Sequence, residues 1–135
     1  MEKATNVLDA SALLAYLNDE AGAPMVEEAL VRGSAISTVN LAEVLSKLAE
    51  IGEDPDEVTE TLQRRGLLGR KLTVSPLTAG DAVMIAKLHR ATKEHGLSLG
   101  DRACVGLALR LGVPAVTADR AWLRLKIGVR VEAIR

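Results

Sequence analysis

The sequence predicts an α/β fold in which a mainly parallel central sheet is covered by helices on both faces. Two observations support this. Short apolar runs of strand length alternate with longer segments that carry apolar residues at helical spacing. A chain of 135 residues with 48% apolar side chains is large enough to bury one core. We therefore expect a single domain spanning residues 1–135, with right-handed crossover connections between parallel strands.

Each predicted strand is a short apolar run bounded by turn or cap residues. The predicted strands are Thr5–Leu8, Ala35–Ser37, Leu72–Val74, Ala115–Thr117 and Val129–Val131. Parallel strands place their carboxyl ends at one edge of the sheet, where ligands of such folds bind.

The predicted helices begin at cap residues and end near glycines or polar breaks. Five predicted helices have both ends defined, and they cover residues 11–17, 24–31, 78–92, 98–111 and 122–125. Another helix carries apolar residues from position 40 and ends near 52, and a further helix starts at 54–56. Thr78-Ala-Gly-Asp81 has the pattern of a helix-start capping box, and we interpret Asp81 as structural.

Composition excludes several classes of protein. The net charge of −1 gives no overall attraction for nucleic acid, and two aromatic residues, Tyr16 and Trp122, are too few to stack successive bases. A single cysteine, Cys104, excludes an internal disulfide and a thiolate zinc cluster, and its expected role is that of a small core residue. We expect a cytoplasmic protein without signal peptide or membrane span.

Four acids follow apolar runs or open helices: Asp9, Glu43, Asp101 and Asp119. Each has an ordinary explanation as a helix cap or a member of a capping box. Capping is the favoured interpretation for Glu43 alone, in Asn40-Leu-Ala-Glu43, and the other three are left open.

The recurrence of these acids where strands pass into helices indicates more than capping. In a parallel sheet such positions share one edge, and two carboxylates about 4 Å apart repel by roughly 4 kcal/mol at an effective dielectric constant near 20. A hard divalent cation removes that repulsion, and an all-oxygen ligand set suits Mg²⁺ or Mn²⁺ better than zinc. Such a site can hydrolyse a phosphodiester without a covalent enzyme intermediate.

Four further side chains lie near the acids in sequence. Ser11 and Thr117 are each two positions from an acid, and they either orient a ligand carboxylate or bond to the local backbone. Arg102 and Arg120 directly follow Asp101 and Asp119. They either contact phosphates or lie in solvent or ion pairs.

These motifs resemble the PIN-domain nucleases, specifically toxins of the VapC type. The resemblance is carried by Val7-Leu-Asp9-Ala-Ser11, by Val39-Asn-Leu-Ala-Glu43-Val, and by Leu97-Ser-Leu-Gly-Asp101-Arg-Ala-Cys104 through Thr117-Ala-Asp119-Arg-Ala-Trp122. It spans nearly the whole chain, with the motifs in one order and at specific distances.

The resemblance implies a three-layer α/β/α fold and cleavage of RNA that depends on Mg²⁺ or Mn²⁺. Carried over by position, Asp9, Glu43, Asp101 and Asp119 are similar to the family's catalytic, metal-binding acids, and Ser11 and Thr117 to its accessory polar residues. It also implies a homodimer and a cognate antitoxin that obstructs the site.

Three other functions fit these residues less well than a nuclease does. A phosphatase with an aspartyl nucleophile at Asp9 would want a second aspartate at the position of Ser11. A phospho-receiver domain would need an acidic pair ahead of its phosphorylated aspartate, and the sequence has none. A binding module without catalysis is disfavoured by the presence of all four acids.

Overall fold

The computed structural model describes residues 3–135 and has a five-stranded, wholly parallel sheet with the strand order β3-β2-β1-β4-β5. The strands are β1 (Asn6–Leu8), β2 (Ser34–Ser37), β3 (Leu72–Ser75), β4 (Ala115–Thr117) and β5 (Val131–Ala133). The central position of β1 places its carboxyl end between those of β2 and β4. The predicted α/β fold with a parallel sheet is confirmed.

Six α-helices and two short 3-10 helices connect the strands within residues 3–135. The α-helices are α1 (Ala10–Leu17), α2 (Ala23–Arg32), α3 (Thr38–Glu50), α4 (Pro55–Arg64), α5 (Ala79–Ala91) and α6 (Leu99–Leu111). The 3-10 helices are Lys93–His95 and Arg120–Arg124. None of the helices in this part of the chain is long and apolar enough to cross a membrane.

Two apolar clusters make the fold three-layered. Leu8 of β1 belongs to a cluster with side chains of α1 to α4, whereas its neighbour Val7 belongs to a second cluster with side chains of α5 and α6. Adjacent residues of a strand point to opposite faces, so the two clusters lie on opposite sides of the sheet. Cys104 and Trp122 are buried in the second cluster, as a core interpretation predicts.

Capping residues that the sequence predicts define the starts of several helices. Thr78 with Asp81 and Ser98 with Asp101 form complete capping boxes at the starts of α5 and α6. Pro55 occupies the first turn of α4 after the cap residue Asp54, where its missing N–H is not needed.

Three predicted starts were wrong by two residues, and one of them is the last 3-10 helix, which begins at Arg120 after its cap Asp119 instead of at Trp122. Strand β5 begins at Val131, two residues later than predicted, because Gly128 turns the chain with a φ of 78° and pairing with β4 starts at Val131. Helix α3 begins at Thr38, with Ser37 as its cap, so Asn40 and Glu43 are helical residues instead of a capping box.

Candidate active site

Asp9 stands at the carboxyl end of the central strand. It follows β1 directly, its backbone N–H donates to the carbonyl of Val116 in β4 at 3.1 Å, and its carboxylate caps α1 by accepting from the N–H of Ala12 at 2.8 Å. Its predicted place at the edge of the sheet is confirmed, and it is only 5% exposed.

Two hydroxyl groups complete the surroundings of the Asp9 carboxylate. Thr117 donates to Oδ2 at 2.6 Å and Ser11 donates to Oδ1 at 2.7 Å. Burial raises the pKa of Asp9, the bonds from Thr117, Ser11 and Ala12 oppose that rise, and the charge of Asp101 adds to it. The carboxylate is therefore fixed in position, and its burial disfavours the ionised form.

The same hydroxyls bind the loop that follows β4. The N–H of Ala118 donates to Ser11 Oγ at 3.0 Å, and the N–H of Asp119 donates to Thr117 Oγ1 at 3.1 Å. The two interpretations of Ser11 and Thr117 therefore both hold, because each hydroxyl orients the Asp9 carboxylate and bonds to the local backbone.

Three of the four predicted acids share one cavity of about 220 Å³. They come from the end of β1, from α3 and from the first turn of α6. The lining residues are Asp9, Ala10, Ser11, Leu14, Asn40, Glu43, Lys47 and Asp101. We call this cavity the acid pocket.

Asp101 and Glu43 keep free oxygens at the acid pocket. Asp101 Oδ2 accepts the N–H of Ser98 at 3.0 Å, and Glu43 Oε1 accepts from Asn40 at 2.8 Å. Their other oxygens accept no hydrogen bond from residues 3–135. Capping and a functional role are therefore compatible at Asp101, since one oxygen serves the cap.

Asp119 does not line the acid pocket. It is exposed, and its Oδ1 caps the 3-10 helix by accepting from the N–H of Ala121 at 2.9 Å. Its backbone N–H nevertheless donates to the hydroxyl of Thr117, which in turn donates to Asp9. The fourth acid thus lies at the neighbouring strand end, outside the cavity that the other three share.

The donor types at the acid pocket suit a hard divalent cation. As the side chains stand, no group of three or more His, Cys, Asp or Glu residues between Lys3 and Arg135 is arranged to hold a metal ion. Mg²⁺, however, keeps several waters and is commonly bound by one or two carboxylates together with substrate phosphates. The three acids fit such a cation by chemistry, and the free oxygens of Glu43 and Asp101 are the ones it would use.

The remaining predicted groups lie outside the acid pocket. Cys104 is fully buried, and burial together with the charges of the pocket acids raises the pKa of its thiol well above the usual range, so it is no nucleophile. Arg102 donates to the carbonyl of Ile85 at 2.9 Å and Arg120 to that of Arg135 at 3.2 Å. Both arginines are thus bonded to carbonyl groups within the chain.

A larger cavity of about 540 Å³ lies between α1, α3 and α4. Its acids, Glu53, Asp54 and Glu57, come from the start of α4, where negative side chains complement the helix dipole. They belong to one short segment and serve the helix end, whereas the acids of the smaller pocket come from three distant segments.

Sequence reasoning missed two residues that line the pocket, Asn40 and Lys47, and a third, Gly100, that lies beside it. Asn40 and Gly100 contact Glu43, and Lys47 brings a cation to the pocket one helical turn after Glu43. The spacing of four between Glu43 and Lys47 was a usable signal. The contact between Gly100 and Glu43 joins two helices and had no local signal.

A model of the PIN domain family matches residues 7–128 of the chain. No match was found among curated proteins. The structure is similar to a toxin–antitoxin complex from Klebsiella pneumoniae, with a TM-score of 0.73 and 16% identity over 96% of this chain and 98% of that one. It is also similar to DNA-bound VapBC from Salmonella typhimurium, with a TM-score of 0.71 and 17% identity over 98% and 100%. A third similar structure is VapC20 of Mycobacterium tuberculosis, a sarcin–ricin loop cleaving toxin, with a TM-score of 0.69 and 16% identity over 93% and 98%.

Proposed function

This chain belongs to the PIN domain family, and we propose that it is a metal-dependent endoribonuclease that acts as the toxin of a toxin–antitoxin pair. One observation carries the proposal: Asp9, Glu43 and Asp101, from three distant segments, line one pocket at the carboxyl edge of a parallel sheet. Family membership supports it, as do the similar folds of toxin–antitoxin complexes and of a toxin that cleaves the sarcin–ricin loop.

We assign cation binding to Asp9, Glu43 and Asp101, with Asp119 as the fourth acid at the neighbouring strand end. The ion would be Mg²⁺ or Mn²⁺, because every side-chain donor in the set is a carboxylate oxygen. When bound, it would polarise a phosphate oxygen and lower the pKa of a water molecule.

The protein's own groups supply position and charge. Ser11 and Thr117 hold Asp9 from two sides, so its carboxylate is set before substrate arrives. Lys47 lines the pocket as a cation and is placed to contact an RNA phosphate. An oxygen of Glu43 or Asp101 that the cation does not occupy would take the proton of the attacking water.

The hydrolysis proceeds without a covalent enzyme intermediate. The pocket holds one hydroxyl side chain, Ser11, and this hydroxyl donates to Asp9 while it accepts from Ala118. No histidine between Lys3 and Arg135 lines the pocket to activate it. Water is therefore the nucleophile that the residues of the pocket favour.

The proposed partners follow from the same assignment. A cognate antitoxin would cover the acid pocket, the protein would act as a homodimer, and it would cleave RNA in the cytoplasm. The similar folds found in toxin–antitoxin complexes support the antitoxin.

The test is cleavage of end-labelled RNA by antitoxin-free protein with Mg²⁺, with EDTA, and with the variant Asp9→Asn. We expect cleavage with Mg²⁺ only, and at least a hundredfold loss in Asp9→Asn. Cleavage that neither treatment changes would reject the metal-dependent mechanism. Binding of the antitoxin by folded protein that cleaves no RNA would favour a binding module instead.

A further inference from the structure

Asn40 joins α3 to α6 at the acid pocket. Its side chain is 1% exposed, and its Nδ2 donates both to Glu43 Oε1 at 2.8 Å and to the carbonyl oxygen of Gly100 at 2.9 Å. Both partners are acceptors only, so the orientation of the amide is fixed by its surroundings. One NH₂ group thus ties the Glu43 side chain to the first turn of the opposite helix.

An asparagine at position 40 does not maximise the stability of the fold. Its Oδ1 is buried and accepts no hydrogen bond from residues 3–135, which costs about 1–3 kcal/mol. By contrast, Asn6, which is equally buried, has its Oδ1 bonded to Ser34 and its Nδ2 bonded to Ala29. A leucine at position 40 would have a similar shape and no unpaired polar atom.

Gly100 makes room for the same carboxylate. A Cβ atom at this position would lie 2.7 Å from Cδ of Glu43 and 2.8 Å from its Oε2, closer than real contacts allow. Gly100 lies in the first turn of α6 and is not among the glycines with positive φ, so its backbone conformation does not require glycine. Glycine in a helix costs about 1 kcal/mol relative to alanine. The missing side chain is therefore explained by the space that Glu43 occupies.

We propose that Asn40 and Gly100 are positioning residues that hold the Glu43 carboxylate at the acid pocket. Gly100 leaves the space into which the carboxylate fits, and Asn40 fixes its Oε1, which leaves Oε2 available. The inference rests on the proposed function, because it concerns how Glu43 is prepared to bind a cation.

The physical gain is preorganisation. A free glutamate side chain loses about 1.5–2 kcal/mol of rotamer entropy when it is fixed. Glu43 lies on an exposed face of α3, so without these contacts it would sample several rotamers in solvent. Removing groups that orient a metal ligand typically weakens metal affinity about 10–100-fold.

Two variants separate positioning from stability. Asn40→Leu removes the amide and the unpaired oxygen, and Gly100→Ala places a methyl group where the carboxylate now lies. We expect both to unfold at the same temperature as the wild type or higher in EDTA. A flexible glutamate can swing away from a new methyl group, and alanine is the better helix former. We expect their Mn²⁺ affinity, measured by electron paramagnetic resonance of free Mn²⁺, to fall about tenfold or more.

Gly106→Ala is the matched control in the same helix. A Cβ atom there meets Cγ of Met84 at 3.5 Å, an ordinary contact. This variant should share any gain in helix stability and keep wild-type Mn²⁺ affinity. Asn40→Ala, which removes the donor without adding a charge, is the second variant at position 40 and should also bind Mn²⁺ more weakly.

A double-mutant cycle ties both effects to Glu43. In a Glu43→Gln background, Asn40→Leu and Gly100→Ala should change Mn²⁺ affinity by less than twofold. Wild-type affinity in both single variants, or an equal loss in the Glu43→Gln background, would overturn the inference while leaving the proposed function intact. Wild-type protein that binds no Mn²⁺ and cleaves no RNA would overturn the proposed function, and this inference with it.

Discussion

The hydroxyl group of Thr117 donates a hydrogen bond to Asp9 Oδ2 at 2.6 Å, and this bond joins the carboxyl ends of two neighbouring strands. The threonine is fully buried, and its oxygen also accepts the N–H of Asp119. One side chain therefore fixes the central acid and positions the backbone of the fourth.

Replacing Thr117 by valine should lower both stability and metal affinity. Valine keeps the shape but leaves the N–H of Asp119 and one oxygen of Asp9 without their partner, at a cost of about 1–3 kcal/mol. Mn²⁺ affinity should fall about tenfold, because Asp9 loses an orienting bond. Urea unfolding and Mn²⁺ titration measure the two effects.

Thr92→Val is the control for this change. Thr92 is also buried, but its hydroxyl donates to the carbonyl of Leu88 in α5, and Thr92 does not line the acid pocket. Its Mn²⁺ affinity should equal that of the wild type. Equal affinities in both threonine variants would mean that Thr117 serves the fold alone.

Asp101→Asn should lower the turnover of RNA by at least about a hundredfold while the fold is retained. The amide oxygen of asparagine can still accept the N–H of Ser98, so the loss of stability should stay below about 1 kcal/mol. Melting curves and initial rates on the same preparation check this. A large loss of stability at full specific activity would make Asp101 a helix cap only.

Asp119→Asn should affect Mn²⁺ binding less than the same substitution at a pocket acid does. Asp119 is exposed and lies outside the acid pocket, so its replacement should change Mn²⁺ affinity less than about threefold and still reduce turnover by about tenfold or more. Parallel Mn²⁺ titrations and rate measurements on Asp9→Asn and Asp119→Asn test the distinction. Unchanged turnover in Asp119→Asn would reduce the proposed set of four acids to three.

Lys47→Gln should weaken RNA binding without affecting the metal. Its side chain is largely exposed and contacts Glu50 only at 3.9 Å, so little structure depends on it. We expect KM for RNA to rise about fivefold and the salt dependence of binding to fall by about 0.7 in log–log slope. Lys93→Gln, at an exposed position that does not line the pocket, is the control and should leave both values unchanged.

Asp81→Asn should lower stability at neutral pH, and the difference should vanish in acid. Arg110 bonds to both carboxylate oxygens of Asp81, at 2.8 and 3.1 Å. Burial acts to raise the pKa of Asp81, but the bonds from Thr78 and Arg110 and the charge of Arg110 outweigh it, so the pKa lies below the usual value.

The sign of the pH effect follows from that lowered pKa. The stabilisation is complete above the unfolded pKa, about 3.9, and is lost as pH falls through the folded value. We expect a difference of about 1–2 kcal/mol at pH 7, limited because Arg110 is partly exposed, that narrows below about pH 4. Urea unfolding at pH 7 and pH 3 measures it, with Glu28→Gln on the exposed surface of α2 as the control. A constant difference at both pH values would contradict the ion-pair argument.

The sequence by itself determined the elements and the family. The short apolar runs predicted all five strands, four of them to within one residue. Strand β5 was displaced by two residues, because local hydrophobicity cannot register a strand against its partner. Helix caps such as Ser98 and Asp101 could be predicted from the sequence, because both residues of a capping box lie within four positions of each other.

The tertiary structure decided which acids meet. Asp9, Glu43 and Asp101 share a pocket while Asp119 faces solvent, a difference of side-chain direction that spacing along the chain does not encode. The cap of α3 at Ser37 likewise places Asn40 inside the helix, where its amide reaches Gly100, 60 residues away. Such contacts depend on how two helices pack, and helix packing is a property of the whole fold.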